Sequence, residues 1–134
     1  MTTSITTERL LPHPPTQVWR ALTDADLLGR WLIPNTFAPV VGHRFTMETR
    51  GWGTVKCQVL ELEAERRLTY AWRNGPLDTT VTWRLVPEGD GTRLHMEHAG
   101  FDLTQPVHKM AYDGMSGGWV AIVGERLPEV LAGM

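Results

Sequence analysis

The stretch "TVTWRLVPEGDGTRLHMEH" (residues 80–98) decides the fold, because it joins two alternating segments by a tight turn. Polar and apolar side chains alternate over 79–88 and again over 92–98, the pattern of a β-strand with one buried face. The link "EGDG" (88–91) has the glycine and aspartate that turns favour. We predict an antiparallel hairpin whose packed face is formed by Val81, Trp83, Leu85, Leu94, Met96 and His98.

The same alternation extends toward the N-terminus. Strands are predicted for 3–11, "HRFTMETR" (43–50), "TVKCQVLELEAE" (54–65) and "RLTYAWR" (67–73), with a turn at "NGPLD" (74–78). Short consecutive strands with such links are typical of an antiparallel meander. Arg73 and Arg84 are predicted to point to the solvent. The further side chains predicted on the packed face are Phe45, Met47, Val55, Cys57, Val59, Leu68, Tyr70 and Trp72.

Helical periods precede and follow these strands. Pro15 suits the first turn of a helix, and Asp24 suits the cap of a second short one. After the last strand, one apolar stripe indicates a long helix that contains three glycines and Pro128; its members are Met110, Trp119, Ile122, Val123, Leu127, Val130 and Leu131. The order predicts an α+β fold in which a curved antiparallel sheet wraps a long C-terminal helix, with two short helices between strands 1 and 2.

Composition limits the function classes. The chain has 134 residues, a net charge of −2 and one cysteine, Cys57. We expect a single domain over 1–134, without an internal disulfide and without the basic surface of a nucleic-acid-binding protein. The N-terminus lacks the pattern of a signal peptide, and no apolar stretch approaches the ~20 residues of a membrane span. A cytoplasmic protein is predicted.

The sequence offers no recognisable catalytic or metal-binding motif. Its five histidines (13, 43, 95, 98 and 108) are not paired at a metal-ligand spacing. His95 and His98 lie three apart on a strand and therefore face opposite sides. Ser116, between glycines, is read as a cap or turn residue, and an inward Cys57 as an inert apolar side chain. We predict no catalytic residue, no metal and no cofactor, and we favour binding over catalysis.

Four segments carry a resemblance to a known family: "VWRALTDADLLGRWL" (18–32), "GTVKCQVLELEAERRLTYAWR" (53–73), "TVTWRLVPEGDGTRLHMEHAGF" (80–101) and "GGWVAIVGERLPEVL" (117–131). Their spacing of hydrophobic, glycine and tryptophan positions, over roughly residues 5 to 132, resembles the START-like (SRPBCC) helix-grip superfamily. Within it, the chain is similar to the branch named after the C-terminal domain of the heat-shock chaperone ATPase activator. That activator carries an additional N-terminal domain that engages the chaperone, and we expect no such domain within these 134 residues.

The resemblance implies a cavity between the sheet and the C-terminal helix that takes lipids, polyketides or other apolar molecules. Together with the predicted packed face, it implies ligand binding by Trp31, Phe45, Met47, Tyr70, Trp72, Trp83, Met96, His98, Trp119, Ile122 and Val123. The expected partner is a small apolar or aromatic ligand, and the expected form is a monomer or homodimer with a sequestering or stress-related role. Three alternatives stay open: a fully packed interior, a chaperone-linked interaction domain, and an enzyme of the polyketide cyclase type.

Two local features allow two readings each. His98 ends its strand just before Ala99 and Gly100, where we expect the chain to turn. It either closes the core through hydrogen bonds or contacts a ligand, and we predict a buried, neutral side chain. Gly114, Gly117 and Gly118 either make the start of the long helix a mobile lid or allow close packing against the sheet.

Overall fold

The computed structural model describes residues 2–49 and 53–134. Within them, the chain forms one antiparallel sheet with the strand order β1-β6-β5-β4-β3-β2. The first and last strands of the chain are therefore neighbours, and the others follow in sequence order. The strands are β1 (Thr3–Leu11), β2 (Arg44–Glu48), β3 (Thr54–Glu63), β4 (Arg67–Asn74), β5 (Leu77–Glu88) and β6 (Gly91–Phe101).

Two short helices, α1 (Pro15–Thr23) and α2 (Ala25–Trp31), separate β1 from β2. Pro15 begins α1, and the Asp24 carboxylate caps α2 by accepting the backbone N–H of Asp26 and of Leu27. After β6 the chain forms α3 (Pro106–Ala121), a π-helical turn (Ile122–Arg126) and α4 (Leu127–Ala132) without a break. We call residues 106–132 the C-terminal helix. The predicted α+β helix-grip fold is confirmed.

The π-helical turn has a local cause in Pro128. Proline lacks an N–H, and its ring would collide with the carbonyl of Gly124 in a regular α-helix. The helix widens just before the proline, so that the N–H of Leu127 donates to the carbonyl of Ile122, five residues back. Val123 and Leu127 remain buried on either side of the widened turn.

The predicted register of the sheet is correct. All fourteen side chains predicted on the packed face are buried, with relative exposures of 5% or less, whereas Arg73 and Arg84 are exposed. Strand geometry explains this agreement, because successive side chains must point to opposite faces. The buried face is concave, and the C-terminal helix packs against it through Trp119, whose ring contacts Trp72 and Trp83.

Several predicted boundaries were wrong. The turn at 74–78 contains only Gly75 and Pro76, because Asn74 already pairs with Leu77. The chain does not turn at Ala99 and Gly100: β6 continues to Phe101, with a bulge that leaves Gly100 unpaired. β3 ends at Glu63 instead of 65, and β2 is described over Arg44–Glu48. The predicted end of that strand at Arg50, and Trp52 after it, lie outside the described residues.

The helical stripe also needs a correction. Met110 is 56% exposed, whereas His108 and Ala111 occupy the inward positions of this turn. His108 is buried because both ring nitrogens are paired: Nδ1 accepts the backbone N–H of Asp102 at 3.0 Å, and Nε2 donates to the carbonyl of Pro76 at 3.0 Å. The imidazole thereby ties the start of the helix to the β4–β5 turn.

Replacing glycine by alanine should have opposite effects at Gly117 and Gly100. A Cβ at Gly117 would meet nothing within 4 Å, so the variant should raise the free energy of unfolding by about 1 kcal/mol. Gly100 has a φ of +104°, and its Cβ would lie 3.3 Å from the carbonyl oxygen of Asp78, so stability should fall by more than ~1 kcal/mol. Urea unfolding of both variants is the measurement. Equal changes in the free energy of unfolding would show that backbone conformation does not determine the effect of the two substitutions.

Candidate ligand-binding site

Trp119 lies at the centre of an aromatic cluster between the sheet and the C-terminal helix. Its ring centroid is 5.8 Å from that of Trp72, 5.7 Å from that of Trp83 and 5.8 Å from that of His98. Trp31 of α2 adds an edge contact to Trp83 at 5.4 Å. We call these five side chains the Trp119 cluster. It joins three strands and two helices through side chains alone.

His98 is the polar centre of this cluster. Its Nδ1 lies 3.1 Å from the indole nitrogen of Trp119, and its Nε2 lies 2.7 Å from the hydroxyl oxygen of Thr79. An indole N–H can only donate, so Nδ1 must be the acceptor and the proton must sit on Nε2. His98 then donates to Thr79, whose hydroxyl in turn donates to the carbonyl of Trp72 at 2.8 Å.

This chain of hydrogen bonds keeps His98 neutral. Protonation of Nδ1 would direct an N–H at the N–H of Trp119 and break that bond. Burial alone lowers the pKa of His98 to about 3, because the charged ring would lose its hydration. The predicted buried, neutral side chain agrees with this geometry. A histidine with such a low pKa is a poor general base near neutral pH, but it holds Trp119 in place.

Tyr70 supplies a second interior polar group. Its hydroxyl oxygen accepts the indole N–H of Trp83 at 3.0 Å, and its ring packs edge-on against Phe45. Burial raises the pKa of Tyr70 far above its usual range, so the hydroxyl stays protonated. Trp31 is satisfied separately, because its indole N–H donates to the carbonyl of Ala21 at 2.8 Å.

The remaining candidate groups have structural surroundings. Burial raises the pKa of the Cys57 thiol to about 12, which leaves it protonated and unreactive. Ser116 lies within α3 and not at a cap or turn, and its hydroxyl donates to the carbonyl of Tyr112 one turn earlier. Over residues 2–49 and 53–134, no three His, Cys, Asp or Glu side chains converge in a way that could hold a metal ion.

The structure brings the predicted site residues into one cluster. Ten of them belong to the buried core, and Ile122 packs against it while remaining partly exposed. Two neighbours of His98 were missed: Thr79, and Phe101, whose ring centroid is 4.7 Å away and which in turn packs against Tyr112. Strand alternation could have found Thr79, because it has the same inward parity as Val81 and Trp83.

The glycines of α3 are not explained by close packing. A Cβ placed at Gly114, Gly117 or Gly118 would meet no heavy atom within 4 Å outside the helix's own neighbouring backbone. Each therefore weakens the helix without a packing gain. They immediately precede Trp119, so the turn that carries this side chain is intrinsically the least stable part of α3.

The outer face of the sheet carries paired charges. Arg93 contacts Glu88 at 2.6 Å and Glu8 at 3.7 Å, and His95 lies 3.1 Å from Glu8. Two clefts within the described residues lie away from the Trp119 cluster: one beside Pro12 and the β5–β6 turn, the other beside Pro15 and the β3–β4 turn. None of the described helices has the length and apolar character needed to cross a membrane.

Comparison with known proteins agrees with this fold. The family model described as "Activator of Hsp90 ATPase homolog 1-like protein" matches residues 12–132. Protein MLL2253 from Mesorhizobium loti is 38% identical, with a TM-score of 0.88 and 97% of each chain covered. Protein BH1534 from Bacillus halodurans is 27% identical, with a TM-score of 0.84, covering 98% of this chain and 99% of that one.

A third solved structure, CalU16 from Micromonospora echinospora, is 29% identical with a TM-score of 0.78, and the match covers 95% of this chain and 73% of that one. The search of curated proteins found no match. The family model spans nearly the whole chain, including the strands and helices that form the Trp119 cluster. The chain therefore belongs to the family of Activator of Hsp90 ATPase homolog 1-like proteins, within the START-like helix-grip superfamily.

Proposed function

We propose that this protein binds a small apolar or aromatic molecule at the Trp119 cluster, between the concave face of the sheet and the C-terminal helix. The observation that carries the proposal is the composition of this cluster: four indole rings with a single imidazole among them. Broad apolar surface with few orienting polar groups is typical of small-molecule sites. Relatives with the helix-grip fold have the same arrangement of a curved sheet around a C-terminal helix.

Binding at this place requires Trp119 to move, because it fills the space between Trp72 and Trp83. Two features of the C-terminal helix favour such movement: Gly114, Gly117 and Gly118, which make no packing contact at the Cβ position, and the π-helical turn that begins three residues after Trp119. π-Helical turns are rare and often lie at functional sites. The proposed lining is the set of eleven residues predicted from the sequence.

The polar groups of the cluster suit binding without catalysis. His98 is neutral and engaged on both nitrogens, and the protonated hydroxyl of Tyr70 is buried. Neither is placed to take a proton from a bound molecule near neutral pH. The proposal therefore describes a module that sequesters or senses its ligand. A cytoplasmic location and a monomeric or homodimeric form belong to the same proposal.

Uptake of the uncharged fluorophore 1-aminoanthracene tests the proposed function. The native protein should bind it saturably with one site per chain, and the bound fluorophore should quench tryptophan emission. Trp119→Leu should lower the Kd by roughly tenfold, since the smaller side chain vacates space for the probe. Arg84→Ala on the outer face is the control and should not change the Kd.

Two results would overturn the proposal. One is the absence of saturable uptake by both the native protein and Trp119→Leu. The other is uptake with the same Kd in both, which would place the fluorophore away from the cluster. Circular dichroism verifies that each variant is folded.

A further inference from the structure

Two interior hydrogen-bond donors on β4 lack an acceptor. Trp72 is 3% exposed, and its indole N–H has no hydrogen-bond partner. Tyr70 is fully buried, and its oxygen accepts from Trp83, but no acceptor for its own proton lies among the described residues. The other indoles of the cluster are paired: Trp31 with Ala21, Trp83 with Tyr70 and Trp119 with His98.

The type of the missing partner follows from these atoms. An indole N–H can only donate, and the oxygen of Tyr70 already accepts a hydrogen bond, which leaves its proton to donate. Buried polar groups of folded proteins are nearly always paired, so an unpaired donor needs an explanation. What both donors lack is an acceptor atom.

The surroundings restrict the charge of that acceptor. In the described part of the chain, the buried polar or charged side chains are Thr69, Thr79, Thr92, His98 and His108. None is a lysine or arginine, and His98 cannot become a cation without breaking its bond to Trp119. An anion moved into this interior would lose its hydration without gaining a counter-charge. A neutral acceptor suits the site and a carboxylate does not.

Both donors are linked to Trp119, one directly and one through Trp83. Tyr70 and Trp72 are two residues apart on β4, so their side chains share the concave face. Trp72 contacts Trp119 directly, and Tyr70 reaches it through Trp83, the partner of its hydroxyl. A flat molecule that replaces the Trp119 ring would therefore contact the indoles of Trp72 and Trp83, which are the side chain that carries one donor and the hydrogen-bond partner of the other.

We propose that the ligand is a neutral aromatic ketone or quinone whose carbonyl oxygen accepts the indole N–H of Trp72 and the hydroxyl of Tyr70. This inference rests on the proposed function, because it assigns the chemical class of a ligand at the same site. It adds that affinity depends on one acceptor atom and not on apolar area alone.

Paired probes test the assignment. 9-Fluorenone and fluorene share one ring skeleton, and fluorenone carries a carbonyl where fluorene has a CH2 group. The native protein should bind fluorenone about tenfold more tightly, the effect of one net hydrogen bond. Trp72→Phe should remove most of this preference by weakening fluorenone binding more than fluorene binding. Trp19→Phe, a tryptophan outside the site, should leave the preference unchanged.

A second variant and a second readout keep the test decisive. Tyr70→Phe removes the other donor and should also reduce the preference, so the assignment does not depend on the folding of one variant. The infrared carbonyl stretch of bound fluorenone should lie at lower frequency in the native protein than in Trp72→Phe, because a donated hydrogen bond weakens the C=O bond. A merely structural role of Trp72 would not move this band.

The outcomes separate the two proposals. Failure of both probes to bind overturns the proposed function and this inference together. Equal affinities for fluorenone and fluorene, or a preference that survives in both Trp72→Phe and Tyr70→Phe, overturn only the ketone or quinone assignment. The two donors would then serve a buried water or no ligand atom, while the proposed function would stand.

Discussion

Replacing His98 by alanine is expected to lower the free energy of unfolding by about 3 kcal/mol, because two effects add. The variant leaves the indole N–H of Trp119 buried without its acceptor, which costs roughly 1–3 kcal/mol. It also leaves a void among Trp72, Phe101 and Trp119, whose rings surround the imidazole. Thr79 is less affected, because its hydroxyl still donates a hydrogen bond to the carbonyl of Trp72.

Urea unfolding followed by circular dichroism measures this loss. His98→Phe separates its two parts, since phenylalanine fills the volume but accepts no hydrogen bond. His95→Ala is the matched control: its ring lies on the outer face near Glu8, and its loss should change stability by less than ~0.5 kcal/mol. If His98→Ala is as stable as the native protein, the hydrogen-bonded histidine is not a support of the core.

Acid should destabilise the native protein through the same side chain. The pKa of His98 is about 3 in the folded state against an ordinary 6.5, so the unfolded chain binds a proton that the folded chain excludes. The contribution of the neutral ring is fully present above pH 6.5 and is lost progressively as the pH falls from 6.5 toward 3. Between pH 7.5 and pH 5 the loss amounts to ~2 kcal/mol.

Comparison with His98→Phe isolates this effect. Both proteins share the carboxylates, including Asp102, whose pKa is lowered to about 2 by hydrogen bonds from Thr104 and Gln105. Those carboxylates lose their contribution to stability at lower pH. Because both proteins contain them, this loss cancels in the difference between the two free energies of unfolding. We expect the stability advantage of the native protein over His98→Phe to shrink as the pH falls from 7.5 to 5. An advantage that is constant over this range would show that the folded protein protonates His98 as readily as the unfolded chain does, which contradicts the buried, neutral ring.

The sheet could be predicted from the sequence because its information is local. Alternation with a period of two assigns each side chain of a strand to one face, and the inward positions of Tyr70, Trp83 and Met96 follow from their neighbours alone. The burial of His98 follows from the same alternation. Alternation also turns Thr79 inward, but the pairing of His98 with Thr79 and Trp119 does not follow from it, because that pairing depends on the β5–β6 register and on the docking of α3.

The helix was harder to predict because polar groups can be buried when paired. The sequence pattern favours Met110 as an inward residue, but His108 takes that place with two backbone partners, Asp102 just before the helix and Pro76, which is 32 residues away in sequence. Gly100 was misread for a similar reason. A glycine after a strand indicates a turn, whereas here its positive φ forms a bulge within β6. In both cases, long-range contacts override the local signal.

The most direct test of ligand binding between the sheet and the C-terminal helix is to locate a bound probe by NMR. The indole N–H groups of 15N-labelled protein report on each tryptophan separately. On addition of 9-fluorenone, we expect the signals of Trp72 and Trp119 to shift most, with nuclear Overhauser contacts from the ligand to both rings. Contacts confined to the clefts beside Pro12 or Pro15, with the signals of Trp72 and Trp119 unchanged, would contradict the account.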